Sequence, residues 1–384
     1  MTIAIWVAAS FVVLATAAHL GGVAVAMVRC RRRMALRAAP VDAPPVSLVI
    51  PVCGIDNFGE DTLRSAFGCD YPRYQVIFCA AHADDAAVPL VRRLIRDHPW
   101  VDARLLIGDA RVSPNPKLNN VVKGWDAAAY EWIAIVDSNV LMRRDYIQRL
   151  LAARRADTGL VCSPPVGWRP SGFWAGVECA FLNTYQARWQ YLADTVGVGF
   201  AQGKTLFWRR GDLERAGGIR ALGRDVAEDA AATRIVRDSG LRVRLVDPPA
   251  YQPLGRRRLR DVWQRQSRWA RLRRATFPQF FAPEILSGPL LPVAAVAFLA
   301  APYEGAMTPA VLAFAALWYG SEFALARAAG WPVSYFLGAA VVRDAMLPVL
   351  WAAAWTGNGF EWRGTAMQAQ GRAALETGTG ARDI

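Results

Sequence analysis

Trp132-Ile133-Ala134-Ile135-Val136-Asp137-Ser138-Asn139 is an apolar run that ends on a carboxylate. A short continuous apolar stretch followed by turn formers reads as a strand buried on both faces. Upstream lie three similar runs: Val46-Ser47-Leu48-Val49-Ile50, Tyr74-Gln75-Val76-Ile77-Phe78-Cys79-Ala80 and Arg104-Leu105-Leu106-Ile107. Between the last two, residues 88–98 space their apolar side chains as a helix does. Strand and helix alternating in this rhythm predict an α/β domain over residues 46–254, with a Rossmann-like, mostly parallel sheet and helices on both faces. Ligands of such sheets sit beyond the carboxyl ends of the strands, so the residues that do chemistry should follow the strands directly.

Several polar groups fall in such places. Asp137 ends the fourth strand, where a carboxylate meets a metal–diphosphate or simply caps a turn. Asp84 and Asp85 follow the second strand, suited to a nucleotide base or ribose, or to a helix N-terminus. Glu228 and Asp229 precede a helical stretch, as a cap or as a general base. Asn115-Pro116-Lys117-Leu118-Asn119-Asn120 joins a rigid turn to a cation and two amides; Lys117 can approach a diphosphate, or the segment is a polar helix start. Arg265-Gln266-Ser267-Arg268-Trp269 sets two cations on one helix face beside an indole. Gly203-Lys204-Thr205 resembles the end of a P-loop, but the first glycine of that motif would fall at Val198, so it is set aside.

The flanks of this domain are different. The chain is 384 residues long, 54% hydrophobic and carries a formal net charge of +13. A basic balance suits nucleic acid, anionic lipid or a polyphosphate substrate, and the long apolar runs favour the last two, so no nucleic-acid partner is expected. Residues 1–28 form one apolar stretch long enough to span a bilayer. A basic linker, 29–45, follows with Arg29, Arg31, Arg32, Arg33 and Arg37, which places the domain after it in the cytoplasm. Residues 255–284 hold nine arginines from Arg256 to Arg274, interleaved with Leu259, Val262, Trp263, Trp269 and Leu272, the pattern of a helix lying in the membrane interface or of a nucleic-acid-binding helix, and the apolar flanks favour the first. Residues 285–358 form a C-terminal membrane region with candidate spans at 285–302, 308–328 and 333–356, the last carrying Arg343 and Asp344, which are costly in lipid. A polar tail, 359–384, closes the chain; three spans would leave it outside, which Arg363, Arg372 and Arg382 oppose. The six cysteines have no C-x-x-C spacing and the three histidines do not cluster, so no zinc site or disulfide framework is expected. Abundant Ala and Arg suggest a GC-rich bacterial genome.

The order of these motifs resembles the family-2-like glycosyltransferases of GT-A fold, with their D, D, D, (Q/R)-x-x-R-W signature, and most of all the ceramide glucosyltransferase family. Pro51-Val52-Cys53-Gly54, Val101-Asp102-Ala103-Arg104 and Ala227-Glu228-Asp229 extend the likeness over residues 45–275. The resemblance implies a GT-A catalytic domain plus transmembrane helices, and an inverting transfer of one sugar from a UDP-sugar to a membrane lipid with Mg²⁺ or Mn²⁺. It gives Asp229 the general-base role and Asp137 the metal. Pro51, Gly54, Asp84, Asp85, Lys117, Asn119, Asp137, Arg265, Arg268 and Trp269 fall on the donor side, Gln186 and Glu228 on the acceptor side. Animal members have a fuller acidic cluster at His82-Ala83-Asp84-Asp85 and a His at Gln186. The hopanoid-biosynthesis branch shares motif order and length, which implies UDP-N-acetylglucosamine and bacteriohopanetetrol at a bacterial inner membrane; UDP-glucose with ceramide is the alternative. A processive polysaccharide synthase and a non-enzymatic membrane scaffold or nucleic-acid binder are the rival classes.

Overall fold

In the computed structural model, which describes residues 2–31, 39, 42–362 and 365–369, the chain opens with α1 (Thr2–Arg31). There follow β1 (Val46–Val52), α2 (Gly59–Ser65), β2 (Tyr74–Ala80), α3 (Ala87–Asp97), β3 (Asp102–Ile107), α4 (Pro116–Ala127), β4 (Trp132–Val136) and α5 (Tyr146–Ala152). Next come β5 (Thr158–Cys162), β6 (Val166–Ser171), α6 (Phe173–Ala180) and α7 (Arg188–Thr195), the last two joined without a break by a π-helical turn, Phe181–Ala187. β7 (Thr205–Arg209), α8 (Arg210–Arg215), α9 (Glu228–Asp238), β8 (Arg242–Leu245) and β9 (Tyr251–Arg256) complete the central domain.

The main sheet has the order β3-β2-β1-β4-β7-β5-β8. β7 is antiparallel to both its neighbours and the other paired strands are parallel. All four expected strands are present; the first and third are each two residues longer than their sequence patterns. β1 is buried along its whole length because helices cover both faces, which is why it reads as an unbroken apolar run. It lies between β2 and β4, so the winding reverses beside it, and the loops after β1 and β4 border the crevice where ligands of open sheets bind.

α4 packs on β1 and β2 through Gly124. A Cβ there would lie 2.5 Å from the Cys79 Sγ and 2.6 Å from a Val49 methyl. Alanine favours an isolated helix over glycine by about 1 kcal/mol. Gly124→Ala should nonetheless destabilise by roughly 1–3 kcal/mol, as overpacking does. Chemical denaturation measures this, and an unchanged midpoint would mean that α4 can back away from the sheet at no cost.

Beyond the domain run α10 (Leu259–Thr276), α11 (Pro278–Phe281), α12 (Leu290–Ala300), α13 (Met307–Ala329), α14 (Phe336–Trp355) and a hairpin of β10 (Gly359–Trp362) and β11 (Thr365–Gln368). Among the described residues, three helices are each long and apolar enough to cross a membrane: α1, α13 and α14. The span expected at 285–302 is bent: α12 and the preceding Pro278–Ser287 are long and apolar enough together for one broken span. Gly288 and Pro289 interrupt it, leaving the 11-residue α12, bent by 46° from Pro278–Ser287. At 1.5 Å per residue α12 alone covers only about half of a bilayer core. The boundary expected at 254/255 falls inside β9, which pairs with β6 from Val166↔Tyr251 to Ser171↔Arg256. The expected polar tail begins instead with the hairpin.

α1 packs on α7, α12 and α13, and His19 stacks on Trp318 with ring centroids 3.6 Å apart. Arg29, read from sequence as a topology signal, also anchors the helix: it pairs with Asp194 at 2.6 Å and Asp247 at 2.8 Å. Arg32, Arg33, Arg37, Arg363, Arg372 and Arg382 lie outside the described residues. Arg343 and Asp344 face the protein interior and pair with one another at 2.7 Å, and Glu322 of α13 holds Arg343 at 2.9 Å.

Candidate active site

The start of α4 fixes the centre of the site. Asn115 caps the helix, its side-chain oxygen accepting from the Lys117 and Leu118 backbone N–H groups at 2.9 and 3.1 Å, with Pro116 at the first helical position. The same amide donates to Glu228 Oε2 at 2.7 Å and to the Val226 carbonyl at 3.1 Å. One side chain thus ties the start of α4 to the start of α9, where Glu228 and Asp229 occupy the first turn.

Lys117 is the hub. Its ammonium lies 2.6 Å from Asp137 Oδ1, 2.7 Å from Glu228 Oε1 and 2.5 Å from the Gly203 carbonyl. Lys204 Nζ holds the other Asp137 oxygen at 2.9 Å and the Asn139 side-chain oxygen at 2.9 Å. The Gly203 N–H donates to Asp229 Oδ2 at 3.0 Å. A Cβ on Gly203 would meet Glu228 Oε1 at 2.9 Å and Lys117 Nζ at 3.3 Å, so the loop can approach the charges this closely only as glycine.

These neighbours set the protonation states. Burial alone would raise the Asp137 carboxyl, but Lys117 and Lys204 outweigh it and hold the group well below the usual carboxylate range. Burial alone would lower Lys117, and Asp137 and Glu228 outweigh that, holding its ammonium above the usual lysine range. Burial lowers Lys204, against the pull of Asp137 and with the push of the Arg265 charge. Asp229 goes the other way: burial first, then the neighbouring Glu228, push it up to about 7, against Lys117.

Lys117, Asp137, Glu228 and Asp229, expected from sequence, therefore meet in one cluster. Asp85 is next to β1: it accepts from the Gly54 N–H at 3.0 Å and the Ala87 N–H at 2.8 Å, joining the loops after β1 and β2. Gly54 adopts φ 65° there, a conformation that suits glycine. Asp84 is exposed, and Pro51 is buried near the end of β1 opposite Cys79. Asn119 engages its amide with both backbone groups of Ser113 at 2.9 Å, which stabilises the loop before α4.

On α10, Arg265 lies 2.5 Å from Glu178 of α6, with its guanidinium carbon 5.8 Å from the Trp269 ring. Trp269 packs on Cys179, Leu182 and Leu254, and Arg268 is on the same helix. Gln186, in the π-helical turn, donates to Gln266 Oε1 at 3.0 Å. The arginine stripe of α10 is partly used on protein partners: Arg273 pairs with Glu284 at 2.8 Å and Arg271 donates to the Gly359 carbonyl at 2.5 Å. The helix buries Val262, Gln266, Ser267 and Ala270, and it packs against α6 and α14.

Two residues escaped the sequence reading. Glu178 sits in an otherwise apolar helix and also pairs with Arg257 at 3.3 Å. Lys204 was set aside with the false P-loop. A compositional signal existed for it: of 45 Lys and Arg residues only three are Lys, and two of those, Lys117 and Lys204, grip Asp137.

Among the described residues no three His, Cys, Asp or Glu side chains form a metal cluster. Asp137 supplies one carboxylate, with both its oxygens engaged by ammonium groups. That donor set fits Mg²⁺ or Mn²⁺ only in the mode where substrate phosphates and waters complete the shell.

The sequence matches the profile of glycosyl transferase family 21 over residues 14–374. It is similar to ceramide glucosyltransferase 1 of Caenorhabditis elegans, 29% identical over 245 residues, 63% of this chain and 53% of that protein. It is also similar to a ceramide glucosyltransferase of Komagataella phaffii, 38% identical over 126 residues, 31% of this chain and 25% of that protein. The chain spans about half the length of the nematode relative and less of the other. Among solved structures, a mannosyltransferase from Pyrobaculum calidifontis in complex with GDP-Man and Mn²⁺ is 21% identical, with a TM-score of 0.46, covering 90% of this chain and 97% of that one. The sheet, with one reversed strand and acids beyond its parallel strand ends, has the GT-A architecture. A profile match over nearly the whole length places this chain in glycosyl transferase family 21.

Proposed function

We propose that the protein transfers one sugar from a UDP-sugar to the hydroxyl of a membrane lipid, with inversion at the anomeric carbon. The observation that carries this reading is the pairing of a high-pKa carboxyl, Asp229, with a cation-gripped carboxylate, Asp137, across one buried cluster. The family membership and the three long apolar helices support it.

In this mechanism Asp229 accepts the proton of the acceptor hydroxyl as its oxygen bonds to the anomeric carbon. The bond from that carbon to the diphosphate oxygen breaks, and UDP leaves with the electron pair. Lys117 and Lys204 place positive charge beside the leaving diphosphate, and Arg265, Arg268 and Trp269 close over the donor. A divalent cation bound at Asp137 would add Lewis-acid stabilisation of the leaving charge. Glu228 keeps Asp229 basic and Lys117 charged. Pro51, Gly54, Asp84, Asp85 and Asn119 shape the nucleotide side, and Gln186 faces the acceptor side. The catalytic domain lies on the cytoplasmic face of a bacterial inner membrane that α1, α13 and α14 cross.

A base must be unprotonated to act, so activity should rise with pH through the Asp229 pKa, near 7. Below it, log(kcat/KM) for the acceptor should climb with unit slope; above it, the profile should level. A flat profile from pH 5 to 9 would assign the proton to another group.

For the finer assignment, UDP-N-acetylglucosamine and bacteriohopanetetrol are favoured. UDP-glucose and ceramide form the second reading, because the similar curated proteins are ceramide glucosyltransferases. Purified protein in detergent, offered each donor with each lipid plus Mg²⁺ or Mn²⁺, decides by product mass. One added hexosamine on the hopanoid supports the first, one hexose on ceramide the second. A polymer, or no lipid product from folded protein, would reject both.

A further inference from the structure

Glu178 of α6 is only 1% exposed, and Cys179 beside it packs against Leu254 of β9 and Trp269 of α10. Each of its carboxylate oxygens faces one guanidinium: Arg265 Nη1 lies 2.5 Å from Oε1 and Arg257 Nε 3.3 Å from Oε2. Two cations thus share one anion, which leaves a surplus of one positive charge. Neither contact has the angle of a hydrogen bond, so both Glu178 oxygens, Arg257 Nε and Arg265 Nη1 are buried without a hydrogen-bond partner. Such an incompletely paired cluster is costly to hold away from water. The arginine side chains, 18% and 17% exposed, are more accessible than the carboxylate they share, and each guanidinium carries five donors.

The cluster borders the strand ends that hold Asp137. Asn57, in the loop after β1, donates to the Leu254 carbonyl at 2.9 Å, and a Cβ on Gly255 would lie 2.6 Å from that amide nitrogen. The loop therefore pins the end of β9, two residues before Arg257. Asp56, next to Asn57, accepts from Asn139 at 3.1 Å, and Asn139 holds Lys204 beside Asp137. The Arg265 charge also acts on Lys204. Arg257 reaches this rim from β9 and Arg265 from α10.

We propose that Arg257 is a further donor-binding residue, joining Arg265 on the diphosphate of the nucleotide sugar, and that Glu178 is the positioning residue that carries both guanidinium groups. The inference rests on the nucleotide-sugar reading above. A diphosphate supplies the negative charge that the cluster lacks, and its oxygens suit the planar fork of a guanidinium. One arginine beside Glu178 would be neutralised by it; the second leaves charge for the ligand. An anionic lipid headgroup offers the same phosphate chemistry. The links through Asn57, Asp56 and Asn139 to Lys204 and Asp137 favour the nucleotide.

Displacement titrations on the full-length protein in detergent read the affinities of UDP and of uridine without needing turnover. Arg257→Met should weaken UDP by about tenfold or more, as loss of a charged phosphate contact does, and leave uridine unchanged. If that variant does not fold, Arg257→Lys replaces it; the charge stays, the fork is lost, and UDP should weaken by about threefold or more. Glu178→Gln should weaken UDP and raise the donor KM, with the acceptor KM unchanged. In a background of Arg257→Met with Arg265→Met its effect on UDP affinity should vanish, because a residue that acts through others adds nothing once they are gone. Unchanged UDP affinity in a folded Arg257 variant, equal losses for UDP and uridine, or an undiminished Glu178→Gln effect in the double background overturns the proposal, even if the wild type glycosylates lipids. Unchanged UDP affinity with weaker binding of added phosphatidylglycerol also overturns it and gives Arg257 to a lipid headgroup. Weaker UDP binding by the Arg257 variant, from a wild type that makes no lipid product, would instead leave the diphosphate site standing and reject the lipid-transfer reaction.

Discussion

Asp229→Asn should lower kcat by about 10²- to 10⁴-fold, the usual contribution of a positioned general base, and leave affinity for the UDP-sugar nearly unchanged. The substitution preserves shape. The retained side-chain oxygen can still accept the Gly203 N–H, which the carboxylate takes at 3.0 Å. What disappears is the capacity to take a proton. The fold should not suffer, because Asp229 is held in a costly state: burial and Glu228 raise its pKa to about 7. Removing that charge relieves repulsion with Glu228, so thermal stability near pH 8 should hold or increase. Losses of rate and of structure are therefore separable in one variant. Titration calorimetry reads donor binding, and single-turnover mass spectrometry reads the chemical step. A variant that binds donor and still turns over at the wild-type rate removes Asp229 from the base role.

The legible part of this fold is the part governed by local pattern. Residues buried on both faces of parallel strands must be apolar, so β1, β2 and β4 announce themselves, and the sheet rule then points to Asp85 and Asp137. The missed parts depend on distant pairing. Lys204 reaches Asp137 because β7 lies antiparallel beside β4, with Val136 opposite Thr205, and no local signal encodes that insertion. Glu178 reads as an isolated carboxylate in an apolar helix until Arg257 and Arg265 arrive from the far side of β9. The arginine stripe on α10 was legible as amphipathic, but periodicity does not tell a lipid headgroup from a protein carboxylate such as Glu284. The bend in the span at 285–302 was hidden for another reason. Apolar composition is continuous there, and only the Gly288-Pro289 pair marks the bend that divides it.

Arg343→Met should destabilise the protein by about 3–5 kcal/mol, the range for removing one partner of a buried ion pair. Arg343 is fully buried, as is Glu322, with Asp344 only 2% exposed. Its guanidinium donates to Glu322 at 2.9 and 3.3 Å, to Asp344 at 2.8 and 2.7 Å, and to the Thr184 hydroxyl at 2.9 Å. A methionine of similar length fills the volume but leaves both carboxylates among apolar helices. Arg188 offers Glu322 a second, weaker positive neighbour, which places the loss toward the lower end of the range. Thermal unfolding in detergent measures the effect. Adding Glu322→Gln and Asp344→Asn should recover most of the loss, since deleting a whole buried network is far less costly than breaking it. The triple variant then isolates what the network does beyond stability. Thr184 belongs to the same π-helical turn as Gln186, so the bond from Arg343 ties that turn to α14. A triple variant that regains stability but keeps a raised acceptor KM would assign the ion network to aligning that turn. Recovery of both would make it a structural tie between α13 and α14 alone.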